Sequence, residues 1–332
     1  MASGAGDSVL LIQLKRVGDV LLCTPLVRAL REDGPARRIS FLTEEPNADL
    51  LRGNPRIDSV LTIPPRMGVI AWSRLCRRLR ADRPDAVLDL AGTPRSCFIT
   101  VISGARSRVG FQVRLPRRWA YNNVIIPDRS KYTVDRRLDL LRAIGVPDRG
   151  FATELWLDEQ DRAEADRLLV AAGFAPGAPL LAIAPTSRKG AKRWSPDGFA
   201  QISAWARERF GAEILLLSGF GEEEQENEVR DVLPGGARRL PEIPRLRTLA
   251  ALIERSRVLL ANDGGPKHIA VALGVPTVTV FVSTAASSWH PPRDPHHIAI
   301  GSAGDLDADA IRVREALSEI WNLRRPPPVR EG

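Results

Sequence analysis

VLLANDGGPKHIAVALGVPTVTVFV, residues 258–282, is the stretch whose reading decides the fold. It reads as strand, glycine-containing turn, helix, strand. The apolar run 258–261 ends in a loop, 262–265, whose two glycines, Gly264 and Gly265, let backbone come close to a ligand. Pro266 suits the first position of a helix, where its missing N–H costs nothing. The free N–H groups of that helix start form an anion site, favoured further by the macrodipole. Gly274 closes the helix, and the β-branched run 277–282 is of the kind buried on both faces of a parallel sheet. The segment therefore predicts a site for a phosphorylated ligand at the carboxyl end of a parallel strand.

Working outward, the same alternation recurs. The first half predicts strands at 8–14, 38–43, 59–63 and 86–90, a helix over 19–32 and helical periodicity over 72–80. After a Gly/Pro-rich break at 172–179 come a strand at 180–184, a polar loop at 185–194 and a helix over 195–210, with Ser195 as cap and Pro196 at its first position. A strand at 213–218 and a helix over 248–256 lead into the opening segment. The expected architecture is α/β, with two parallel doubly wound domains whose loops face a central cleft. We expect a first domain over 1–157, a bridging helix and linker over 158–178, and a second domain over 179–332. The Pro/Arg-rich tail, 324–332, is expected either to be frayed or to pack back on the first domain.

Size and composition agree, because 332 residues exceed what one core usually fills. Three cysteines, Cys23, Cys76 and Cys97, form neither a disulfide framework nor a metal knuckle, which points to a reducing cytosol. The start has no signal-peptide pattern, and the longest apolar stretch, 269–282, is too short to span a membrane. A net charge of +8 suits a polyanionic partner, whether nucleic acid, an anionic membrane surface or an acidic substrate.

Three loops follow strands at their carboxyl ends: KRVGD (15–19), PTSRKGAKRW (185–194) and NDGGPKH (262–268). Gly219 and Gly221 begin a dinucleotide fingerprint, but Glu224 stands where its third glycine belongs. A P-loop and paired metal-binding histidines are absent from the sequence as well. A phosphorylated ligand other than NAD or a P-loop nucleotide is the expectation.

At this point the motifs resemble a known family. KRVGDVLLCTPLVRALRE (15–32), KRW (192–194) after PTS (185–187), and NDGGPKHIAVALGVPTVTVF (262–281) resemble the ADP-heptose:lipopolysaccharide heptosyltransferases, glycosyltransferase family 9. PDAVLDLAGTPRS (84–96), SGARSRVGF (103–111) and LLLSGFGEEEQE (215–226) keep the same order. The resemblance implies a GT-B fold and metal-independent transfer, with inversion, of a sugar from a nucleotide diphosphate, most simply ADP-heptose, with no cofactor. It implies that Asp19 is the catalytic base, that Lys192 holds the diphosphate with Thr186 and Ser187 as hydroxyl donors, and that Glu224 meets the ribose. Asp263, Gly264, Gly265 and His268 match the loop for donor sugar and phosphates. Relatives usually carry a hydroxyl residue at Gly264 and often Met at Lys267, so Lys267 adds positive charge or alters donor preference. Gly18, Lys15, Arg106 and Arg108 fall on the acceptor side, where an anionic acceptor such as the lipopolysaccharide inner core, or the inner-membrane surface, is expected. Nucleic acid is not.

Plainer readings stand beside these. An acidic residue in a helix's first turn, as Asp19, is stabilising without any function. Lys192 lies in a basic run that reads equally as a solvated loop, and His268 as a residue packed on the sheet. The arginines of 106–118 read as ordinary surface charge. A non-lipopolysaccharide acceptor, a sugar-nucleotide epimerase and a non-enzymatic polyanion binder remain alternatives.

Overall fold

The computed structural model describes residues 6–219, 222–233, 235, 238, 240–302 and 304–323. The chain forms two compact units, Met1–Trp156 and Leu157–Gly332. The first runs β1 (Ser8–Ile12), α1 (Val17–Leu21), α2 (Thr24–Asp33), β2 (Arg38–Glu44), β3 (Ser59–Ile63), α3 (Val69–Asp82), β4 (Ala86–Asp89), α4 (Pro94–Ile102), β5 (Ser107–Phe111), β6 (Asn123–Ile125) and α5 (Thr133–Arg142). Its six strands are all parallel, in the order β3-β2-β1-β4-β5-β6.

The second unit runs α6 (Glu159–Ala171), β7 (Leu180–Ala184), α7 (Pro196–Phe210), β8 (Glu213–Leu216), α8 (Glu223–Val232), α9 (Leu246–Arg255), β9 (Val258–Asn262), α10 (Gly265–Ala272), β10 (Thr277–Phe281), α11 (Ala286–Trp289), β11 (His297–Gly301) and α12 (Leu306–Ile320). Its five parallel strands take the order β11-β10-β9-β7-β8. Strands β7, β9 and β10 are buried at every position. Helices on both faces leave them no solvated side, which is why they read as continuous apolar runs.

Two expectations need correction. The helix expected over 19–32 is two helices. Pro25 has no N–H to offer the preceding turn, and the Thr24 hydroxyl donates to the Leu21 carbonyl at 2.7 Å where α1 ends. The helix expected to bridge the domains belongs to the second unit. There α6 is held to α9, with Arg162 Nε 2.8 Å from Glu254 Oε2 and Arg247 on α9 donating to the buried Asp161 carboxylate. Within the charged run 106–118 Arg106, Arg114 and Arg118 are exposed, and a strand, β5, has three of its five residues buried. The tail at 324–332 lies outside the described residues.

Candidate functional site

In an open parallel sheet, a crevice forms where successive connections leave in opposite directions, beyond the carboxyl ends of the two strands at that point. In the second unit the reversal falls between β7 and β9, and in the first between β1 and β4. The loop 185–194 follows β7, the segment 262–268 runs from the end of β9 into α10, and the segment 15–19 runs from the turn after β1 into α1. The three segments singled out in the sequence thus sit at the two switch points.

In the second unit Asn262 ties the two loops together. Its Nδ2 donates to the Pro185 carbonyl and its Oδ1 accepts from the Trp194 N–H at 2.9 Å. Gln225 on α8 accepts from the Ser187 N–H at 3.0 Å, so the loop after β8 joins the same cluster. At its centre is the buried Asp263 carboxylate. Oδ2 receives Lys192 Nζ at 2.6 Å and Thr284 Oγ1 at 2.9 Å, and Oδ1 receives Lys267 Nζ at 3.3 Å. Two ammonium groups share one carboxylate, so the cluster is net positive at the start of α10, where free N–H groups add to that potential. Burial alone would raise the Asp263 pKa, but Lys267 and Lys192 outweigh it and hold the carboxyl down at about 2. Thr186 is buried, and its Oγ1 has no protein partner among the described residues. An unpaired hydroxyl in a buried, cationic loop is what an incoming anion's oxygen would satisfy.

Lys267 is fully buried, with Nζ also 2.8 Å from the Trp289 carbonyl and 5.2 Å from the Phe281 ring centre. Burial pushes its ammonium down to about 8, against the pull of Asp263 in the other direction. The unfolded chain keeps that proton up to its ordinary value of 10.5, so between the two values the unfolded state binds more protons and stability rises with pH. Lys267→Met lacks this rise. Denaturant melts taken from about pH 7 to about pH 9.5 should show wild type gaining about 2 kcal/mol relative to the variant. Parallel stability curves would contradict a buried, titrating Lys267.

Gly264 is extended, with φ of −157°, and a Cβ placed there meets its nearest atoms at 3.8 Å. The backbone does not require glycine at 264, and a hydroxyl residue would fit. Gly274, with φ of 67°, does need its missing side chain to end α10. His268 is buried with its ring edge-on to Trp289 at 6.3 Å, and Glu224 is exposed in the first turn of α8.

In the first unit Asp19 lies in α1, and its partner is one that sequence reasoning missed. Arg137 on α5 is buried; its Nη2 meets Asp19 Oδ1 at 2.7 Å while Nη1 donates to the Asp19 carbonyl. The Cys23 thiol donates to the same carbonyl at 3.1 Å. Burial alone would lower the Arg137 pKa, but Cys23 and Asp19 raise it instead. Arg16, immediately before α1, has φ of 71°, a strained conformation for a non-glycine residue that costs about 1–3 kcal/mol. Such strain persists where the surroundings fix a loop for a purpose. Lys15 is exposed and Gly18 is buried beside it.

Arg106 and Arg108 are not part of this arrangement. Ser107 pairs with Ala86, which in turn pairs with Val9, so both arginines lie at the amino-terminal edge of the sheet, opposite the loop after β1. The Arg108 guanidinium donates to the Ala120 and Ala105 carbonyls at 2.9 and 3.0 Å, an internal role. Strand direction, which a basic run in the sequence does not announce, places them at the edge of the sheet opposite the loop after β1. Asn262, Gln225, Thr284 and Arg137 were missed. Only Arg137 left a trace, as an arginine on the apolar stripe that Val134, Leu138 and Leu141 define.

Two doubly wound parallel-sheet units in succession, each with a switch point, are the architecture of the GT-B fold. Residues 72–310 match glycosyltransferase family 9 (heptosyltransferase), and the chain belongs to that family. Lipopolysaccharide heptosyltransferase 3 of Escherichia coli K12 is 25% identical over 82% of this chain and 82% of its own. The solved family 9 glycosyltransferase of Veillonella parvula superposes with a TM-score of 0.84 at 20% identity, over 97% of this chain and 98% of that one. Escherichia coli heptosyltransferase WaaC, solved with ADP, gives a TM-score of 0.75 at 18% identity, over 94% and 99% of the two chains. The protein is a glycosyltransferase, and no helix among its described residues is long and apolar enough to cross a membrane.

Proposed function

We propose that this chain moves heptose from ADP-heptose to a hydroxyl of an anionic acceptor such as the lipopolysaccharide inner core, with inversion and without a metal. The observation that carries the reading is the Lys192–Asp263–Lys267 cluster with the unpaired Thr186 hydroxyl at the switch point between β7 and β9. Heptosyltransferase names among the relatives and ADP in the solved WaaC support the donor. Lys192, the Thr186 and Ser187 hydroxyls and the N–H groups that start α10 would take the charge that develops on the departing diphosphate. Gly264, Gly265, Asp263 and His268 would border the donor sugar, and Glu224 the ribose.

In the first unit Asp19 would accept the proton of the acceptor hydroxyl as that oxygen attacks the anomeric carbon. Arg137 would fix the carboxylate's orientation, with Lys15 and Gly18 beside the acceptor. The acceptor's lipid nature would bring the protein to the cytoplasmic face of the inner membrane as a peripheral protein.

The test is thermal melting with ADP, then a transfer screen read by mass over nucleotide heptoses and acceptors. ADP at about 100 times its Kd should add about 2.7 kcal/mol of stability. Heptose transfer should persist in EDTA. No stabilisation by any nucleoside diphosphate would overturn the donor site, and loss of transfer in EDTA the metal-free mechanism.

A further inference from the structure

Singly scattered apolar side chains on a surface are ordinary, but a contiguous set is not. In the first unit such a set spans α3, α4 and the segment between β5 and β6. Val69 is 85% exposed and Ile70 follows it in the first turn of α3; Phe98 and Val101 stand out from α4; Leu115 and Trp119 are 68% and 74% exposed. Trp72 and Phe98 meet edge to face at 5.3 Å, which joins α3 to α4, and the turn Arg117–Ala120 packs against α4. These elements all lead away from the carboxyl edge of the sheet.

Charge on these segments has one sign. Residues 64–81 contain five arginines and residues 90–127 six, and neither stretch contains an aspartate or glutamate. Arg66, Arg74, Arg114 and Arg118 are exposed and have no ion pair among the described residues. Arginine and tryptophan occur in protein interfaces too, but arginine unmatched by any acid among exposed Trp, Leu and Ile is the composition of a membrane–water interface. Long arginine side chains lay their stems on apolar surface and keep their charge at headgroup level. A nucleic-acid platform would need several open stacking rings, whereas Trp72 and Phe98 engage each other edge to face and Trp119 stands alone beside Leu115.

We propose that this face docks on an anionic phospholipid bilayer, with Leu115 and Trp119 entering the headgroup boundary and the unpaired arginines meeting lipid phosphates. The proposal rests on the peripheral-membrane part of the function above and names the surface that performs it. The test is flotation of the full chain with vesicles of phosphatidylcholine alone or of phosphatidylcholine and phosphatidylglycerol in equal parts.

Partition onto the anionic vesicles should exceed that onto neutral ones by about tenfold or more and fall with salt. Leu115→Ser with Trp119→Ser, and separately Arg114→Gln with Arg118→Gln, should each lower it about tenfold while leaving stabilisation by ADP unchanged. Absent or equal binding to the two vesicle types, or unchanged binding by both double variants, would overturn it. So would a concentration-dependent dimer that the Leu115/Trp119 variant dissolves in place of vesicle binding. Lost vesicle binding with ADP stabilisation intact strikes this proposal alone; lost ADP stabilisation with vesicle binding intact strikes the donor site alone.

Discussion

Asp19→Asn should lower kcat for sugar transfer by about 10²–10⁴-fold, the usual contribution of a positioned general base. The change is close to isosteric. An asparagine Oδ1 still accepts from Arg137 Nη2, and the second Arg137 bond goes to the Asp19 main-chain carbonyl, which the substitution leaves in place. What is lost is the negative charge and the ability to take a proton. The donor's KM should stay within about threefold of wild type, because no donor contact is altered.

A purely structural Asp19 makes the opposite forecast. Its charge pairs with the buried Arg137, so neutralising it would leave an uncompensated buried guanidinium and lower the melting temperature with kcat nearly unchanged. Steady-state kinetics and melting curves on the same preparation separate the two. Arg137→Lys adds a readout: it keeps the charge but cannot hold both Asp19 oxygens in a fixed fork, so kcat should fall with the donor's KM unchanged.

Much of the fold was legible in the sequence because burial on both faces forces apolar strands. The segments 180–184 and 59–63 were placed to the residue, and 258–261 and 277–282 to within one. Turn chemistry served equally well where it had a mechanism. Ser195 does cap α7, accepting from the Asp197 N–H at 3.2 Å, with Pro196 at the first position. Legibility failed where the signal was short or mixed. Strand β6 has three residues, and β5 carries an arginine inside it, so neither shows a usable period. The break between α1 and α2 was readable from Pro25 but was overridden by the apolar periodicity on either side.

For the candidate site, the sequence offered loops and residue types but not their partners. Arg137 is 118 positions from Asp19, and only the packing of α5 against α2 brings its guanidinium there. Lys267 read as added positive charge near the phosphates or as a change in donor preference, and its burial against Asp263 and the Trp289 carbonyl was not legible. Arg106 and Arg108 stand apart from the loop after β1 for a directional reason. In a parallel sheet, the residues just before a strand lie at the edge opposite the residues just after it, and functional loops gather at the latter.

Lys192→Ala should lower kcat by about 10²–10³-fold, the loss typical of removing one preorganised donor to a developing negative charge, and should also weaken ADP binding. In the ligand-free chain Lys192 Nζ sits 2.6 Å from Asp263 Oδ2, so a diphosphate must compete with that carboxylate for it. Lys267 on Oδ1 and Thr284 on Oδ2 would keep Asp263 satisfied if Lys192 turned to a ligand. The two lysines therefore divide the work. On the proposed reading Lys267, fully buried, compensates Asp263 while it is protonated, and Lys192, part exposed, would carry the charge that the leaving group meets. Lys192→Arg should recover part of kcat, since the charge returns with a different shape. Lys267→Met should instead raise the donor's KM more than it lowers kcat, because an uncompensated Asp263 would hold Lys192 back from substrate and transition state alike. Kinetics and ADP titrations on the three variants decide the matter. Equal kcat losses in Lys192→Ala and Lys267→Met, with the donor's KM unmoved in both, would mean that the cluster only supports the fold.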